Sequence, residues 1–290
     1  MKKAGDSSIA EAYEYCKELT SRRESNFSLG FSVLPPARKR AIYVVYAFCR
    51  FVDDVSDESG PADATKLLDA WRKEIDRVYV DGESTHPIGQ ALLDVLKTFK
   101  VPREGFEELI EGCIIDQRTK TYATFKDLTR YCDLVATSIA KVSLPVYGFR
   151  MHPAVIKHGR DLSFAFQLTN ILRDIAEDAE RGRVYTPADE LKKAGLTVQD
   201  VVQKKDLKKL TAFYAEQGRR CEEYFQSGAK VIEYLDSESR PCVRVMWGAY
   251  HKLLDKILAD PPRSLEARTV LTEDEKRAII DEGCNERNGK

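Results

Sequence analysis

The sequence predicts an all-α protein formed by a single domain. Apolar residues recur with the 3.6-residue period of amphipathic helices along most of the chain. Strand signals are absent, because no alternating run of useful length and no hairpin dipeptide between apolar runs occurs. The chain of 290 residues has no repeat, no low-complexity tract and no change of composition at mid-chain. We therefore expect one large domain over residues 1–290.

The predicted helices follow one another with short interruptions. A polar, amphipathic helix comes first, near residues 7–24. Leu34-Pro35-Pro36-Ala37 starts the next helix with proline in its first turn, and that helix carries Asp57 near its end. Ser59-Gly60-Pro61 separates it from a surface helix at 62–80. Further helices are predicted at 88–98, 103–119, 125–149, 153–181, 206–235 and 239–258.

Composition excludes several classes of protein. The formal net charge is -1, so the surface offers no basic field for nucleic acid. Seven cysteines form no CxxC pair, which indicates reduced thiols and a cytoplasmic protein. The segment Met1–Asp6 turns polar at once, and we expect no signal peptide. The most apolar run, Leu134–Phe149, is broken by Lys141 and Pro145, so we expect no membrane span.

Two acidic segments, about a hundred residues apart, carry the most informative pattern. The first contains Asp53 and Asp57, at the end of an apolar helix. The second contains Asn170, Asp174 and Asp178, within strongly apolar sequence. A step of four residues along a helix rises about 6 Å and turns only about 40°. Each segment is therefore expected to present its oxygen ligands along one face of a helix.

This spacing favours a magnesium site. Two carboxylates about 6 Å apart repel by roughly 3 kcal/mol at an effective dielectric constant of 20, so a buried set needs cations. Oxygen ligands suit Mg²⁺, which commonly bridges carboxylates and substrate phosphates. We therefore predict an enzyme that holds a diphosphate through magnesium. A charged helix face is more often solvated, so a non-catalytic helical scaffold remains the alternative from a different class.

Arginines and tyrosines accompany both segments. Tyr46 and Arg50 precede Asp53 at one-turn intervals, while Arg173 and Arg183 accompany the second segment. Such arginines either grip diphosphate oxygens or pair with the neighbouring aspartates. The tyrosines that could offer a hydroxyl or a ring to a carbocation are Tyr131, Tyr185 and Tyr250. No P-loop, GxGxxG motif or zinc spacing occurs in the chain.

Four stretches resemble the squalene and phytoene synthases. Tyr46–Glu58 is similar to the first aspartate-rich motif of that family, and Gln167–Pro187 is similar to the second. Tyr131–Ala136 resembles a third conserved block, and Asn26–Pro35 resembles the N-terminal flap. The motifs occur in the family's order, and the resemblance covers about 15–260, which we take as the core of the domain.

The resemblance implies an isoprenoid synthase helical bundle around a central cavity, with the two motifs facing each other. The family joins two allylic diphosphates head to head. Mg²⁺-assisted loss of one diphosphate leaves a cation that the second prenyl chain attacks, giving a cyclopropylcarbinyl diphosphate that some members rearrange. The implied partners are prenyl diphosphates, and the lipophilic product is compatible with a peripheral membrane contact. Oligomeric state is left open.

The resemblance also implies roles for individual residues. The metal ligands would be Asp53, Asp57, Asn170, Asp174 and Asp178. The catalytic residues would be Arg50, Tyr46, Tyr131, Arg173 and Tyr185. The substrate-binding residues would be Phe27, Phe31, Tyr43, Gln167, Arg183 and Tyr250.

Phe31 and Tyr43 fall, by resemblance, where bulk would close the end of a prenyl channel. Two aromatic residues there favour farnesyl diphosphate, with presqualene diphosphate or squalene as the C30 product. NADPH would be needed only if squalene were the final product. A phytoene synthase, acting on two geranylgeranyl diphosphates, is the alternative within the family. Head-to-tail elongases and terpene cyclases fit less well, because the second segment does not match a DDxxD motif.

One stretch departs from the family pattern. Many members carry Gly-Thr-Val-Gly where this chain has Thr137-Ser138-Ile139-Ala140. Glycines would allow the backbone to approach the substrate closely. We expect their replacement to narrow the cavity or alter the second reaction step, and to leave the metal ligands unaffected.

Overall fold

The computed structural model describes residues 4–21, 26–58 and 60–285, without the side chains of residues 4–8, 57, 58, 61 and 62. These ranges hold α-helices and isolated backbone bridges but no strand, so the all-α prediction is confirmed. None of the described helices is long and apolar enough to cross a bilayer. The helices are α1 Ala4–Ser21, α2 Asn26–Phe31, α3 Pro36–Glu58, α4 Pro61–Asp76, α5 Pro87–Leu96, α6 Arg103–Arg118, α7 Phe125–Cys132, α8 Ser138–Tyr147, α9 Pro153–Arg173, α10 Ile175–Glu180, α11 Ala188–Lys193, α12 Val198–Val202, α13 Leu207–Ala229, α14 Arg240–Ala259, α15 Pro261–Ser264 and α16 Glu273–Asn285.

Helix ends follow the local chemistry of the sequence. Helix α3 begins at Pro36, as predicted from the proline pair. Helix α7 starts with a capping box, in which Thr124 and Asp127 satisfy each other's backbone N–H groups. Pro153 opens α9, where the His152 side chain accepts from the Ala154 N–H. The predicted end of the first helix falls partly in residues 22–25, which lie outside the described residues.

Two predicted helices are interrupted in the structure. The helix predicted at 153–181 breaks at Asp174, whose φ of -103° and ψ of 10° separate α9 from α10. Arg173 and Asp174 pair with each other, although adjacent side chains on a regular helix diverge by about 100°. The break is consistent with this pairing. The helix predicted at 125–149 contains a π-helical segment, Asp133–Thr137, between α7 and α8.

The sequence analysis also missed five helices, namely α2, α11, α12, α15 and α16. The first four have six residues or fewer, too short for a clear apolar period. Helix α16 lies beyond Pro261, where the pattern was weakest. It packs against α14 through the buried residue Ile279.

The most extensive packing between described helices joins α9 and α13, behind the cavity described below. Gly228 of α13 allows this close approach, because a Cβ there would stand 2.6 Å from both Cα and N of Leu162. Buried Asp161 of α9 adds a polar link, since the Ser227 hydroxyl donates to its carboxylate at 2.5 Å. Helix α9, which carries Asn170 and ends next to Asp174, is therefore held rigidly from behind.

This close approach predicts the effect of a methyl group at position 228. Gly228→Ala should lower the free energy of unfolding by about 1–3 kcal/mol, because the backbone of α9 has no room to yield. Gly60→Ala is the matched control, since Gly60 has an extended conformation (φ -63°, ψ 151°) and open space around it. Urea unfolding should show a change below about 1 kcal/mol for the control. Equal effects of the two variants would contradict the packing argument.

Candidate active site

An apolar cavity of about 760 Å³, counting its open side, lies within the bundle. Most of its wall is aliphatic or aromatic, and polar groups from α9 lie at one part of it. Lining residues from α2 and α3 are Phe27, Phe31 and Tyr46; those from the π segment and α8 include Val135, Ala136, Ile139, Ala140, Ser143, Leu144 and Tyr147; those from α9 include Leu162, Phe166, Gln167 and Asn170.

A cluster of aromatic rings surrounds Phe27 of α2. The centroid of its ring lies 5.6 Å from that of Tyr46, 5.7 Å from that of Phe166 and 5.2 Å from that of Tyr250. Phe166 and Tyr250 stack at 4.4 Å. One side chain of α2 therefore links α3, α9 and α14, and places an electron-rich surface beside Gln167 and Asn170.

The second acidic segment begins at the cavity wall. Asn170 lines the cavity, and its buried Oδ1 has no hydrogen-bond partner among the described residues. One turn further on, Asp174 accepts from Arg173 Nε at 2.7 Å. Burial, reinforced by the carboxylates of Asp174, Glu177 and Asp116, raises the pKa of Asp178 to about 7. This part of the site therefore holds more negative charge than its neighbours compensate.

The first acidic segment is more open to solvent. Arg50 lies 3.5 Å from an oxygen of Asp53 and 3.3 Å from an oxygen of Asp54. The Asp53 side chain is 56% exposed, compared with 17% for Asp174. Asp57 belongs to α3, but its side chain lies outside the described residues.

The end of α6 connects the two acidic segments. Gln117 Nε2 donates to the backbone oxygen of Ser56, in the first segment, at 2.6 Å. Its neighbour Asp116 accepts from the Tyr185 hydroxyl at 2.7 Å and lies 3.2 Å from Arg183, both just after the second segment. The two segments therefore converge on adjacent residues of one helix.

Three tyrosine rings cover this junction. The rings of Tyr131 and Tyr185 stack at 5.2 Å, and Tyr122 lies within 6.0 Å of both. Tyr131 is hydrogen bonded to Tyr185, which in turn donates to Asp116. Burial raises the pKa of Tyr131 and of Tyr185 well above the ordinary phenol value, so both remain neutral hydrogen-bond donors.

A strap of backbone hydrogen bonds holds the segment that carries Arg183 and Tyr185. Val184 N–H donates to the Lys120 carbonyl at 2.8 Å, and Ala188 N–H donates to the Tyr122 carbonyl at 2.9 Å. The segment after α6 and the segment after α10 are thus joined by backbone hydrogen bonds close to the side chains that each contributes to the junction.

Comparison with known proteins identifies the family. Residues 20–275 match the family model of the squalene/phytoene synthases. The chain belongs to the squalene/phytoene synthase family. This is a family of prenyltransferases that condense prenyl diphosphates head to head, so the resemblance inferred from the motifs is confirmed. Membership also favours an enzyme over the alternative of a helical scaffold.

Curated relatives and solved structures agree with this membership. The chain is 33% identical to "Phytoene synthase 1, chloroplastic" of Solanum lycopersicum over 274 residues, which cover 92% of this chain and 66% of that protein. It is 34% identical to "15-cis-phytoene synthase" of Synechococcus elongatus over 264 residues, 86% of this chain and 85% of that protein. The chain therefore spans about two thirds of the length of the tomato relative.

Among solved structures, the chain superposes on squalene synthase HpnC from Alicyclobacillus acidocaldarius with a TM-score of 0.79. The identity is 29%, over 87% of this chain and 95% of that one. It also superposes on a dehydrosqualene synthase in complex with ligand, with a TM-score of 0.84 and 23% identity over 97% of this chain and 98% of that chain. This second likeness shows the fold alone.

The squalene/phytoene synthase cavity contains only one of the two residues predicted to close its end. Phe31 lines the cavity, and its ring lies 5.3 Å from that of Tyr46. Tyr43 packs edge-on against Phe31 at 6.1 Å and is not among the lining residues. Tyr43 therefore supports Phe31 from behind.

The stretch that departs from the family pattern lies along the same cavity. Ile139 and Ala140 line the wall, and Ala140, which replaces the second family glycine, puts a methyl group where backbone alone would have stood. Thr137 instead turns to Asp133, donating its hydroxyl to the carboxylate at 3.1 Å.

Sequence reasoning missed three residues of this site. Asp116 and Gln117 follow the apolar run Cys113-Ile114-Ile115, and a carboxylate after such a run was the signal available. Arg268 lies between α15 and α16, beyond the expected core, and reaches Asp174 at 3.4 Å and Glu177 at 3.6 Å. No local motif marks Arg268, because its contact depends on the folded path of the C-terminal segment.

Arginines form ion pairs with both acidic segments. Arg50 pairs with the first segment, and Arg173 and Arg268 pair with the second. Within the described part of the chain, no three His, Cys, Asp or Glu side chains form a group that could hold a metal ion unaided. The donor chemistry nevertheless fits a hard cation, because Asn170 Oδ1 is an unused buried acceptor and Asp178 is electrostatically uncompensated.

The raised pKa of Asp178 predicts a pH-dependent difference in stability. The folded state binds the proton more tightly than the unfolded chain, so the stabilisation is complete below about pH 4 and is lost as pH rises through 7. In chelator-treated protein, Asp178→Asn should therefore raise the melting temperature more at pH 8 than at pH 5. Asp281→Asn, at an exposed position of α16, is the control. A pH-independent difference for Asp178→Asn would contradict the electrostatic argument.

Proposed function

We propose that the chain condenses two farnesyl diphosphates head to head, by 1′-1 bond formation, to presqualene diphosphate or a squalene-type C30 product. One observation carries the proposal: the apolar cavity has aromatic rings and an unsatisfied amide oxygen, Asn170 Oδ1, at the same part of its wall. Prenyl tails suit the aliphatic wall, and diphosphates suit the place where the acidic segments and arginines meet.

The metal ligands in this proposal are Asp53, Asp57, Asn170, Asp174 and Asp178. Bound Mg²⁺ would neutralise the diphosphate and make it a better leaving group. The protein holds only part of the ligand set in place, since Arg50 and Arg173 occupy carboxylates of the two segments. We therefore infer that Mg²⁺ binds weakly by itself and tightly together with diphosphate.

Three arginines are placed to exchange partners when diphosphate binds. Arg50, Arg173 and Arg268 each contact an acidic side chain in this structure. With cations bound at those carboxylates, the guanidinium groups would be free to donate to diphosphate oxygens. Such donors stabilise the charge that develops as the C1–O bond breaks and the electron pair leaves with the diphosphate.

The allylic cation left behind needs a dry and electron-rich surrounding. Phe27, Phe166 and Tyr250 present stacked rings beside the polar end of the cavity. The neutral phenols of Tyr131 and Tyr185 add no competing negative charge, and their hydroxyl groups hold each other and Asp116 in place. The double bond of the second prenyl chain attacks the cation, and loss of one proton closes the cyclopropane ring. NADPH enters only if the product is reduced to squalene.

The choice of farnesyl diphosphate rests on Phe31. This residue is 2% exposed, lines the cavity and is backed by Tyr43, so it limits the cavity with little room to move. A second candidate is phytoene synthase, with geranylgeranyl diphosphate as substrate. The names of curated relatives at 33% and 34% identity favour it. Product analysis with each substrate separates the two functions.

A peripheral membrane contact belongs to the proposal, because a C30 hydrocarbon product leaves more readily into lipid than into water. The seven cysteines are free, which supports a reducing, cytoplasmic location.

Removal of one proposed metal ligand should abolish most turnover. Asp57→Asn and Asp174→Asn should each lower kcat by about 100-fold or more, since a key group that stabilises the leaving diphosphate contributes roughly 3 kcal/mol. Steady-state assays at saturating Mg²⁺, with circular dichroism to verify folding, give the measurement. Asp281→Asn should retain wild-type turnover. Near-normal turnover in either ligand variant would remove that residue from the ligand set.

Enlarging the end of the cavity should change the preferred chain length. Phe31→Ala should raise kcat/KM for geranylgeranyl diphosphate relative to farnesyl diphosphate, because each additional buried methylene is worth about 0.8 kcal/mol. Tyr43→Ala should act in the same direction but less strongly, since Tyr43 supports Phe31 from behind. Tyr43→Phe retains the ring and is the control. A wild-type preference for the C20 substrate would instead make phytoene synthase the better assignment.

A further inference from the structure

One wall of the cavity is formed by a helix that contains a π-helical turn, which amounts to one inserted residue. Helix α7 passes into α8 through the π-helical segment Asp133–Thr137. Val135 and Ala136 of this segment line the cavity, followed by Ile139 and Ala140 one turn later. Single π-helical turns inside α-helices are uncommon and frequently lie at functional sites. The wall that faces the prenyl chains is therefore the part of the helix with irregular geometry.

Asp133 ties this turn to the opposite wall. Arg160 of α9 donates to its carboxylate from Nε at 2.6 Å and from Nη2 at 2.9 Å. Thr137 donates to the same carboxylate from the other end of the π segment. The Arg160 guanidinium also lies 4.2 Å above the ring of Phe164, which limits its orientation. Gly159, next to Arg160, lines the cavity. Asp133, Thr137 and Arg160 thus form a clamp between two walls of the cavity.

Helix α6 closes the space behind the π segment. A Cβ at Gly112 would lie 2.6 Å from Val135 Cγ1 and 3.1 Å from Leu134 Cβ. Val135 therefore cannot move away from the cavity towards α6. The clamp opposes its movement towards the cavity. The position of Val135 is determined from both sides.

The clamp contributes geometry more than stability. The side chains of Arg160 and Asp133 are 35% and 42% exposed, and ion pairs at such positions stabilise folded proteins only slightly. The two parallel hydrogen bonds nevertheless impose a defined orientation on the carboxylate. Variants at this pair are therefore expected to fold while the π segment loses its anchor.

We propose that Asp133 and Arg160 are positioning residues that set the length of prenyl chain accepted by the cavity. The inference rests on the proposed function of the same cavity. Without the clamp, the inserted residue can move along the helix. Successive residues on a helix are about 100° apart. When the inserted residue shifts by one position along the helix, the side chain at that position therefore turns away from its present direction. Val135 and Ala136 would leave their places in the wall, and the cavity would change shape.

The experiment compares Asp133→Asn and Arg160→Met with a matched ion-pair variant. Glu108→Gln breaks the Lys141–Glu108 pair, which joins α8 to α6 at 2.6 Å with similar side-chain exposures of 37% and 32%. The readouts are kcat/KM for farnesyl and geranylgeranyl diphosphate, and calorimetric affinity for their thiodiphosphate analogues. Binding of inorganic diphosphate with Mg²⁺ monitors the polar end separately.

Asp133→Asn and Arg160→Met should shift the C20-to-C15 ratio in the same direction, by up to about fivefold, the limit that an exposed ion pair transmits. Arg160→Lys should lie between Arg160→Met and wild type, and Glu108→Gln should match wild type. Inorganic diphosphate affinity should not change in any variant. If the folded variants kept the wild-type C20-to-C15 ratio, or if Glu108→Gln shifted this ratio equally, the role of the clamp would be overturned while the proposed function would stand. Wild-type protein that binds neither analogue would overturn the proposed function, and this inference with it.

Discussion

The site depends on holding several carboxylates close together inside a helical bundle. Asp116 is 4% exposed, and such a charge is costly unless it is paired and hydrogen bonded. Arg183 and Tyr185 provide that compensation, and the backbone strap holds both of them in place. Asp178 receives no comparable partner, and burial, reinforced by the carboxylates of Asp174, Glu177 and Asp116, raises its pKa. The fold thus compensates the buried charge of Asp116 fully. The carboxylates of the acidic segments depend on cations or on arginine side chains for their compensation.

The aromatic cluster and the polar junction have different supports. Phe27 reaches the cavity from the six-residue helix α2, whereas Phe166 and Asn170 lie on α9, which α13 holds closely through Gly228. Helix α2 has a close contact of its own with α14, because a Cβ at Gly30 would lie 2.6 Å from the Cys242 carbonyl oxygen. The aromatic cluster and the start of the second acidic segment are therefore held by two separate helix pairs, α2 with α14 and α9 with α13.

Much of the architecture could be predicted from the sequence because helical periodicity and proline positions are local signals. The start of α3 at Pro36 and the two acidic segments required no tertiary information. The break at Asp174, the π segment at Asp133–Thr137 and the contact of Arg268 with Asp174 depend on partners distant in sequence or on side-chain pairing that periodicity does not encode. Asp116 could be predicted only in part. Its position after an apolar run is visible in the sequence, but its role becomes clear only when its partners in the folded structure are known. For the same reason, the sequence did not reveal that Phe31 stands between Tyr43 and the cavity.

The strap between Lys120–Tyr122 and Val184–Ala188 has an evolutionary consequence. Its hydrogen bonds use main-chain atoms, so the attachment does not depend on which side chains occupy most of these positions. Substitutions can therefore accumulate along the strap while Arg183 and Tyr185 stay directed at Asp116. Proline is the exception at Val184 and Ala188, because it has no N–H to donate. Sequence drift at the exposed positions of the strap, such as Lys120 and Ala188, is thus separated from the chemistry of the cavity, and divergence there carries little information about a change of substrate.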